Sequence, residues 1–574
     1  MYFPTQIYMM SSNAPSSMAL APSHARDVVV ALTILCISFA LSLFLRRTKA
    51  TSSLKKTQLH RLPPGPAGLP IIGSMHCVVS KRPVFRWIHG LLKDMNTNIL
   101  CLRFGAVHVV VVSSPEIARE VLRKNDAVLA SRPDTVASGL FSFGYKGSIL
   151  SPYGEQWKKM KRVLTSEILS TSMEQRLHRR RAEEADHLVR FVYSQCSGTS
   201  ANANSIVDVR HVARHFCGNM IRRLVFGKRH FSVAAGAGAG GGNGGGSGPG
   251  PEEVAHVDAL FTLLNYVYSF SVSDYIPPAW AWMVAGLDPD GHKKVAKRVM
   301  ETLNRLHDPI IEERIREWDG LRKRGEKREA RDFLDALVSL QDSQGRPFLS
   351  FNEIKAQTAE IMFAIVDNPS NAVEWALAEM MNQPEVMHKA MNELNTMVGK
   401  DKLVQESDIP HLNYLKACLR EAFRLHPYHA FNPPHVAMED TVVSGYLIPK
   451  GSHVLLSRVG LGRNSGVWDA PLQFRPERHL TMDSKQQSGH HVVLTEPDLR
   501  FISFSAGRRG CPGVSLGSSV TVMLFARLLQ GFTWTKPPGV RTIDLKESTA
   551  SLALAESLFL QAQPRLPMHL YASI

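Results

Sequence analysis

The chain has 574 residues, with 67 Lys and Arg against 51 Asp and Glu, so its formal net charge is +16. At 44% hydrophobic and 21% charged it can bury a large core, which excludes a mostly disordered or fibrous protein. Its seven cysteines are scattered and hold no CxxC pair, which excludes a secreted disulfide framework and a zinc module and points to reducing surroundings.

Residues 1–27 lead into an uncharged run of 18, Val28 to Leu45. That length suffices for a helix to cross a hydrocarbon layer of about 30 Å, so 28–45 is predicted to be a single membrane anchor. A cleaved signal peptide fits less well, because Arg46, Arg47 and Lys49 follow the run and no small-residue cleavage site does. These basic residues, with Lys55 and Lys56, belong on the cytosolic side, which puts 1–27 in the lumen. Residues 46–74 are a basic and Pro-rich hinge, in which Leu62-Pro63-Pro64-Gly65-Pro66 forbids a helix continuous with the anchor. Residues 75–574 are then the catalytic domain.

Within that domain Asn98 to Ser113 reads as a hairpin broken at Gly105, after which Pro115 opens an amphipathic helix. Most of the remaining chain has helical period. Residues 236–250 hold 10 of the 40 glycines and are predicted to be a flexible surface loop inserted between helices. Despite the charge of +16, no nucleic-acid-binding module is visible.

The stretch Phe504-Ser-Ala-Gly507-Arg508-Arg509-Gly510-Cys511-Pro512-Gly513 carries the chemistry. A cysteine thiolate can be the axial ligand of haem iron, where it donates electron density that favours O–O cleavage. Glycines at 507, 510 and 513 let backbone N–H groups turn toward the sulfur, Phe504 can shield it, and Arg509 is placed to meet a haem propionate. The pattern FxxGxRxCxG matches the haem-binding signature of the cytochromes P450, and the chain resembles that family over roughly residues 27–574. The resemblance implies a mainly α fold with a small β part, the cytochrome P450 fold, in which an α-helical bundle and small sheets surround haem b (iron protoporphyrin IX).

Further motifs agree with this resemblance in order and spacing. Glu421 and Arg424 share a helix face 87 residues before Cys511, and Arg478 follows in Phe474-Arg-Pro-Glu-Arg478-His. In the family these three lock together beneath the haem. Trp157-Lys-Lys-Met-Lys161-Arg162 is similar to the WxxxR segment that holds a propionate, but Lys161 stands where the arginine is expected, so either Lys161 or Arg162 faces the propionate. The same basic cluster could equally form a face for an acidic redox partner.

Around Ala364-Ile-Val-Asp367-Asn368-Pro369-Ser370-Asn371 the usual Thr-Thr pair is missing. Asp367 and Asn368 are the candidate catalytic residues, managing protons and water beside bound oxygen, and Pro369 leaves the Ile365 carbonyl without its helical donor. This segment resembles one branch of plant P450s, the aldoxime-forming amino-acid N-monooxygenases. Phe431-Asn432-Pro433-Pro434-His435-Val436 supports the branch, with His435 where most plant members place a propionate-binding arginine, although Pro433 departs from the apolar residue expected.

The resemblance implies that an L-amino acid is N-hydroxylated twice with O2 and NADPH-derived electrons, then loses water and CO2 to give an aldoxime for specialised plant metabolism. An aromatic amino acid is the expected substrate, with Lys146 as the candidate carboxylate partner and Phe141, Phe143, Phe431 and Asn432 as further pocket residues. The implied partners are NADPH–cytochrome P450 reductase and membrane lipid, and the implied location is the endoplasmic reticulum membrane, single-pass. A plant P450 oxidising carbon in another small metabolite, and a non-catalytic haem protein, are the two alternatives that the residues leave open.

Overall fold

The structure is a computed structural model that describes residues 61–196, 206–231, 249–267, 269–276, 288–480 and 491–572. The expected lumenal segment and membrane anchor, most of the hinge and nearly all of the glycine-rich loop therefore lie outside the described residues.

Six helices position the site: α1 (Glu155–Val163), α2 (Val209–Phe226), α3 (Phe351–Asn382), α4 (Asn413–Leu425), α5 (Arg458–Gly462) and α6 (Val514–Gly531). The long α3 starts at a capping box, in which Ser350 accepts from the Glu353 N–H and the Glu353 carboxylate accepts from the Ser350 N–H at 2.8 Å. It is buried over most of its length because it packs on α2, α4 and α6 at once. Pro369 lies inside this helix, which is continuous from Phe351 to Asn382 although the Ile365 carbonyl loses its helical donor. α6 is long and apolar enough to cross a membrane, but most of it is buried in the protein, so its hydropathy serves the core.

The predicted hairpin is present. Strand Ile99–Phe104 runs antiparallel to Val107–Val112, with Ile99 opposite Val112. Gly105 turns between them at φ 56°, where an added Cβ would lie 2.1 Å from the Tyr275 carbonyl oxygen, so no other residue fits without moving that backbone. Val107–Val112 continues parallel to His453–Leu456, which pairs with His435–Val436. A second sheet joins Ile206–Asp208, Phe559–Pro564 and Phe532–Thr535.

One buried carboxylate ties a loop to the central helix. Glu360 of α3 accepts the N–H groups of Ser148 at 2.5 Å, Ile149 at 2.7 Å and Leu150 at 3.1 Å. Gly147 makes this approach possible, since a Cβ there would sit 2.3 Å from the Glu360 carboxyl carbon. Gly147→Ala is expected to displace the carboxylate and strand those donors, lowering stability by about 1–3 kcal/mol in a denaturant titration of the holoprotein.

Candidate active site

Cys511 lies where the chain leaves a tight loop and enters α6. Gly507 adopts φ 74°, and a side chain there would meet the Leu122 carbonyl oxygen at 2.4 Å and Asp126 at 2.5 Å. The Arg508 backbone N–H and guanidinium bind that same Asp126 at 2.9 and 2.8 Å. The loop closes through Cys511 N–H to Phe504 O at 2.8 Å and Gly510 N–H to Gly507 O at 3.0 Å. Burial pushes the Cys511 thiol up, while the Gly513 N–H and the Arg458 charge push it down. Gly513 is not demanded by crowding among protein atoms, because a Cβ there would have only Leu169 at 3.9 Å and the Cys511 sulfur at 4.0 Å. Phe504 packs edge-on against Phe423, with centroids 6.2 Å apart.

The sulfur faces a cavity whose other walls are apolar residues of α3, Phe423, Leu169 and Leu516. A cluster of cations stands on one side. The Arg509 guanidinium lies 4.5 Å and the Lys161 ammonium 5.0 Å from the Trp157 ring centre. Arg509 donates to the Ala130 and Ser151 carbonyls, Lys161 to the Arg508 carbonyl, and Arg132 to the Pro433 and Pro434 carbonyls at 3.0 and 2.8 Å. Burial, and then the charge of Arg132, lower the pKa of Arg509 to about 8. A cysteine sulfur, apolar walls and a cation cluster suited to two carboxylates form a donor set that fits haem: Cys511 would hold the iron as thiolate, and Arg132, Trp157, Lys161 and Arg509 the propionates.

Lys161 lines the cavity, whereas Arg162 is exposed. His435 sits behind this wall, fully enclosed, with Nδ1 donating to the Leu129 carbonyl at 2.7 Å and Nε2 without a partner. Burial, then Arg132, lower its pKa to about 3, so it is a neutral ring here. The arginine on the cavity side is Arg132, in Ser131-Arg132-Pro133, which sequence reasoning missed.

Glu421, Arg424 and Arg478 meet as one buried network. Glu421 accepts from Arg424 at 2.7 and 2.8 Å, Arg478 at 2.9 Å, the Arg475 N–H at 2.9 Å and His479 at 2.8 Å. Burial pushes the Glu421 carboxyl up, but the Arg424 and His479 hydrogen bonds outweigh it and hold it at about 2. Arg424 also donates to the Gly462, Pro471 and Gln473 carbonyls, joining α4 to the segments after α5. His479 is a member that the motif did not reveal.

On α3, Ala364, Ile365, Asn368 and Pro369 line the cavity. Asn368 donates to the Ala364 carbonyl at 3.4 Å, and its Oδ1 is buried without a partner. Asp367 faces a different neighbour, with His429 Nε2 3.7 Å away. Burial raises its carboxyl to about 6, against the opposing charges of Arg214 and Arg458. The folded protein thus holds a proton there that the unfolded chain releases near pH 4, and stability falls as pH rises from about 4 to 6. Asp367→Asn is expected to flatten that stretch of the profile, removing up to roughly 2–3 kcal/mol of slope in melts taken between pH 4 and 7.

An adjoining cavity of about 730 Å³ shares Arg132, Tyr428 and Pro433 with the first and is lined by Phe431, Asn432 and His429. Phe431 stacks on His89 at 5.2 Å, and Asn432 is tied into the sheet by bonds to the Leu456 backbone. Three of the expected pocket residues lie elsewhere. Lys146 is exposed and lines neither cavity, Phe141 is fully buried in the main core, and Phe143 packs against that core under the Lys355 ammonium. Their loop turns away because Glu360 captures residues 148–150 just after it. Arg458 and Tyr428, by contrast, line the cavity with no motif to announce them.

Comparison with known proteins places this geometry. The sequence profile of the family described as Cytochrome P450 matches residues 63–561. The chain is 55% identical over 513 residues to a tyrosine N-monooxygenase of Sorghum bicolor, covering 89% of this chain and 88% of that one. It is 49% identical over 561 residues to valine N-monooxygenase 2 of Manihot esculenta, covering 98% of each. Among solved structures, a zebra fish cytochrome P450 described with abiraterone superposes with a TM-score of 0.63 at 25% identity, over 84% of this chain and 99% of that one.

Proposed function

The chain belongs to the cytochrome P450 family, an oxidoreductase that uses haem b, O2 and electrons from a redox partner, and on that premise we propose that it converts an aromatic L-amino acid to its aldoxime. When bound at Cys511, the haem supplies the activation of O2. The amino acid takes up two O2 and four electrons from two NADPH, becomes N,N-dihydroxylated, and loses CO2 and water, so that three waters leave in all. Likeness to N-monooxygenases of tyrosine and valine along nearly the whole chain supports this reading over oxidation of carbon.

The observation that carries it is Asn368-Pro369 on the cavity wall. Proline removes one helical N–H, and the side-chain amide of Asn368 supplies a donor to the helix and leaves its oxygen a buried acceptor without a partner. Asp367, half-protonated near pH 6, can pass protons inward beside it. The apolar walls exclude water from the reacting nitrogen. NADPH–cytochrome P450 reductase is the proposed electron donor, and the uncharged run 28–45 supports anchorage to the endoplasmic reticulum with the catalytic domain in the cytosol.

The test reconstitutes the full chain with a plant reductase and NADPH, and feeds Tyr, Phe, Trp, Val, Ile and Met separately. Aldoximes are expected in the mass spectrum, from the aromatic substrates first. Products hydroxylated only on carbon would defeat the proposal.

A further inference from the structure

Arg458 stands apart from every other cation on this cavity. It is 4% exposed, it lines the wall with Cys511 and Asn368, and its Nε and Nη1 are buried without a hydrogen-bond partner. Among the described residues no salt bridge joins it to a carboxylate, although its charge acts on Asp367 and Cys511, and its guanidinium carbon lies 4.2 Å from the centre of the Tyr428 ring. Stacking on an aromatic face leaves the in-plane N–H groups of an arginine available. The cations of the Trp157 cluster differ: Arg132, Lys161 and Arg509 each already donate to backbone carbonyls.

The backbone under Arg458 is rigid. Its N–H donates to the Ala430 carbonyl at 2.9 Å, and the Ser457 N–H donates to Val112 at the end of the sheet at 2.7 Å. Ser457 Oγ caps α5 by accepting the Gly460 N–H at 2.7 Å, and His89 bonds the same hydroxyl at 2.6 Å. A buried guanidinium so fixed, with Nε and Nη1 lacking hydrogen-bond acceptors, would gain from an anion brought into the cavity. Asn368 Oδ1, on the same cavity lining, is an orphan of the opposite kind, an acceptor without a donor. A buried cation and a buried acceptor on one wall match the two ends of an α-amino acid, whose carboxylate accepts and whose amino group donates.

We propose that Arg458 receives the carboxylate of the amino-acid substrate and Asn368 Oδ1 its amino group, so that the pair sets the substrate's orientation and its discrimination for free acids. This deepens the proposed function and rests on it. It also reassigns the carboxylate role from exposed Lys146 to a residue on the cavity wall.

The test uses the purified, haem-loaded full chain and the substrate-induced shift of its Soret band, titrated with L-tyrosine and with L-tyrosinamide, and with L-phenylalanine and L-phenylalaninamide. Each amide keeps the amino group and ring but has no carboxylate charge. Arg458→Gln is expected to weaken binding of the acids by roughly 10- to 100-fold while the amides change less than about twofold, so the acid preference collapses. Arg458→Lys keeps the charge and is expected to retain part of that preference. Equal weakening of acid and amide, or no weakening of the acid, overturns the assignment. Loss of haem from both variants, read by the reduced carbon monoxide spectrum, also overturns it, because Arg458 would then be holding the propionates. If the wild-type chain responds to no amino acid while carrying full haem, the amino-acid reading itself falls, an outcome distinct from all the others.

Discussion

Cys511→Ser is expected to abolish both the red-shifted carbon monoxide band of the reduced protein and aldoxime formation. The serine hydroxyl is smaller, harder and protonated at neutral pH, so it cannot donate charge to iron as a thiolate does. The surrounding loop does not need the sulfur to hold its shape. Gly507 in its left-handed turn, the Asp126 bonds to Arg508 and the Cys511 N–H bond to Phe504 all form without the sulfur. The chain should therefore still fold, and circular dichroism near the wild-type signal with the 450 nm band absent is the expected pair of results. Retention of that band in the variant would show that another residue ligates the iron.

Glu421→Gln is expected to produce the second large effect, in the fold and not in the chemistry. Glu421 is fully buried and balances Arg424, also fully buried, while accepting from Arg478 and His479. A neutral amide accepts at only one oxygen and turns two donors toward guanidinium groups, leaving a buried positive charge uncompensated. Breaking one side of such a pair costs about 3–5 kcal/mol, a large share of the roughly 5–15 kcal/mol that holds a domain together. The network joins α4 to the carbonyls of Gly462, Pro471 and Gln473, so its loss loosens the layer that supports the cysteine loop. Expression of Glu421→Gln should yield little haem-loaded protein, with a melting temperature lowered by several degrees in what survives. A variant with wild-type haem content and melting would remove the network from any structural role.

Much of this site was legible because its signals are local. The FxxGxRxCxG stretch is contiguous, and its residues lie in one loop, so spacing alone specified the sulfur and its glycine turn. The ExxR pair was legible for the same reason, since residues three apart share a helix face. The strand pair 99–104 and 107–112 followed from its β-branched run and the glycine between. His479 was missed because it becomes the fourth partner of Glu421 only when the segment after Phe474 folds back over α4. The misplaced Lys146 had a different cause. Its loop contains three aromatic residues that suggest a pocket, but the buried Glu360 on α3, 210 or more residues away, seizes the three amides after Gly147 and turns the lysine to solvent.

Sequence by itself determined the family, the candidate iron-ligating cysteine and the unusual segment Asp367-Asn368-Pro369, because those properties depend on side-chain chemistry at short fixed spacings. Beyond Arg509, which the motif gave, tertiary structure decided which of many basic residues confront the cavity. Arg132, Lys161, Arg458 and Arg509 come from four distant parts of the chain, and a basic residue in isolation reads as solvated surface. Only packing settles whether its charge meets water, a backbone carbonyl or the space beside the sulfur, since burial and partners are properties of the assembled fold and not of any one segment.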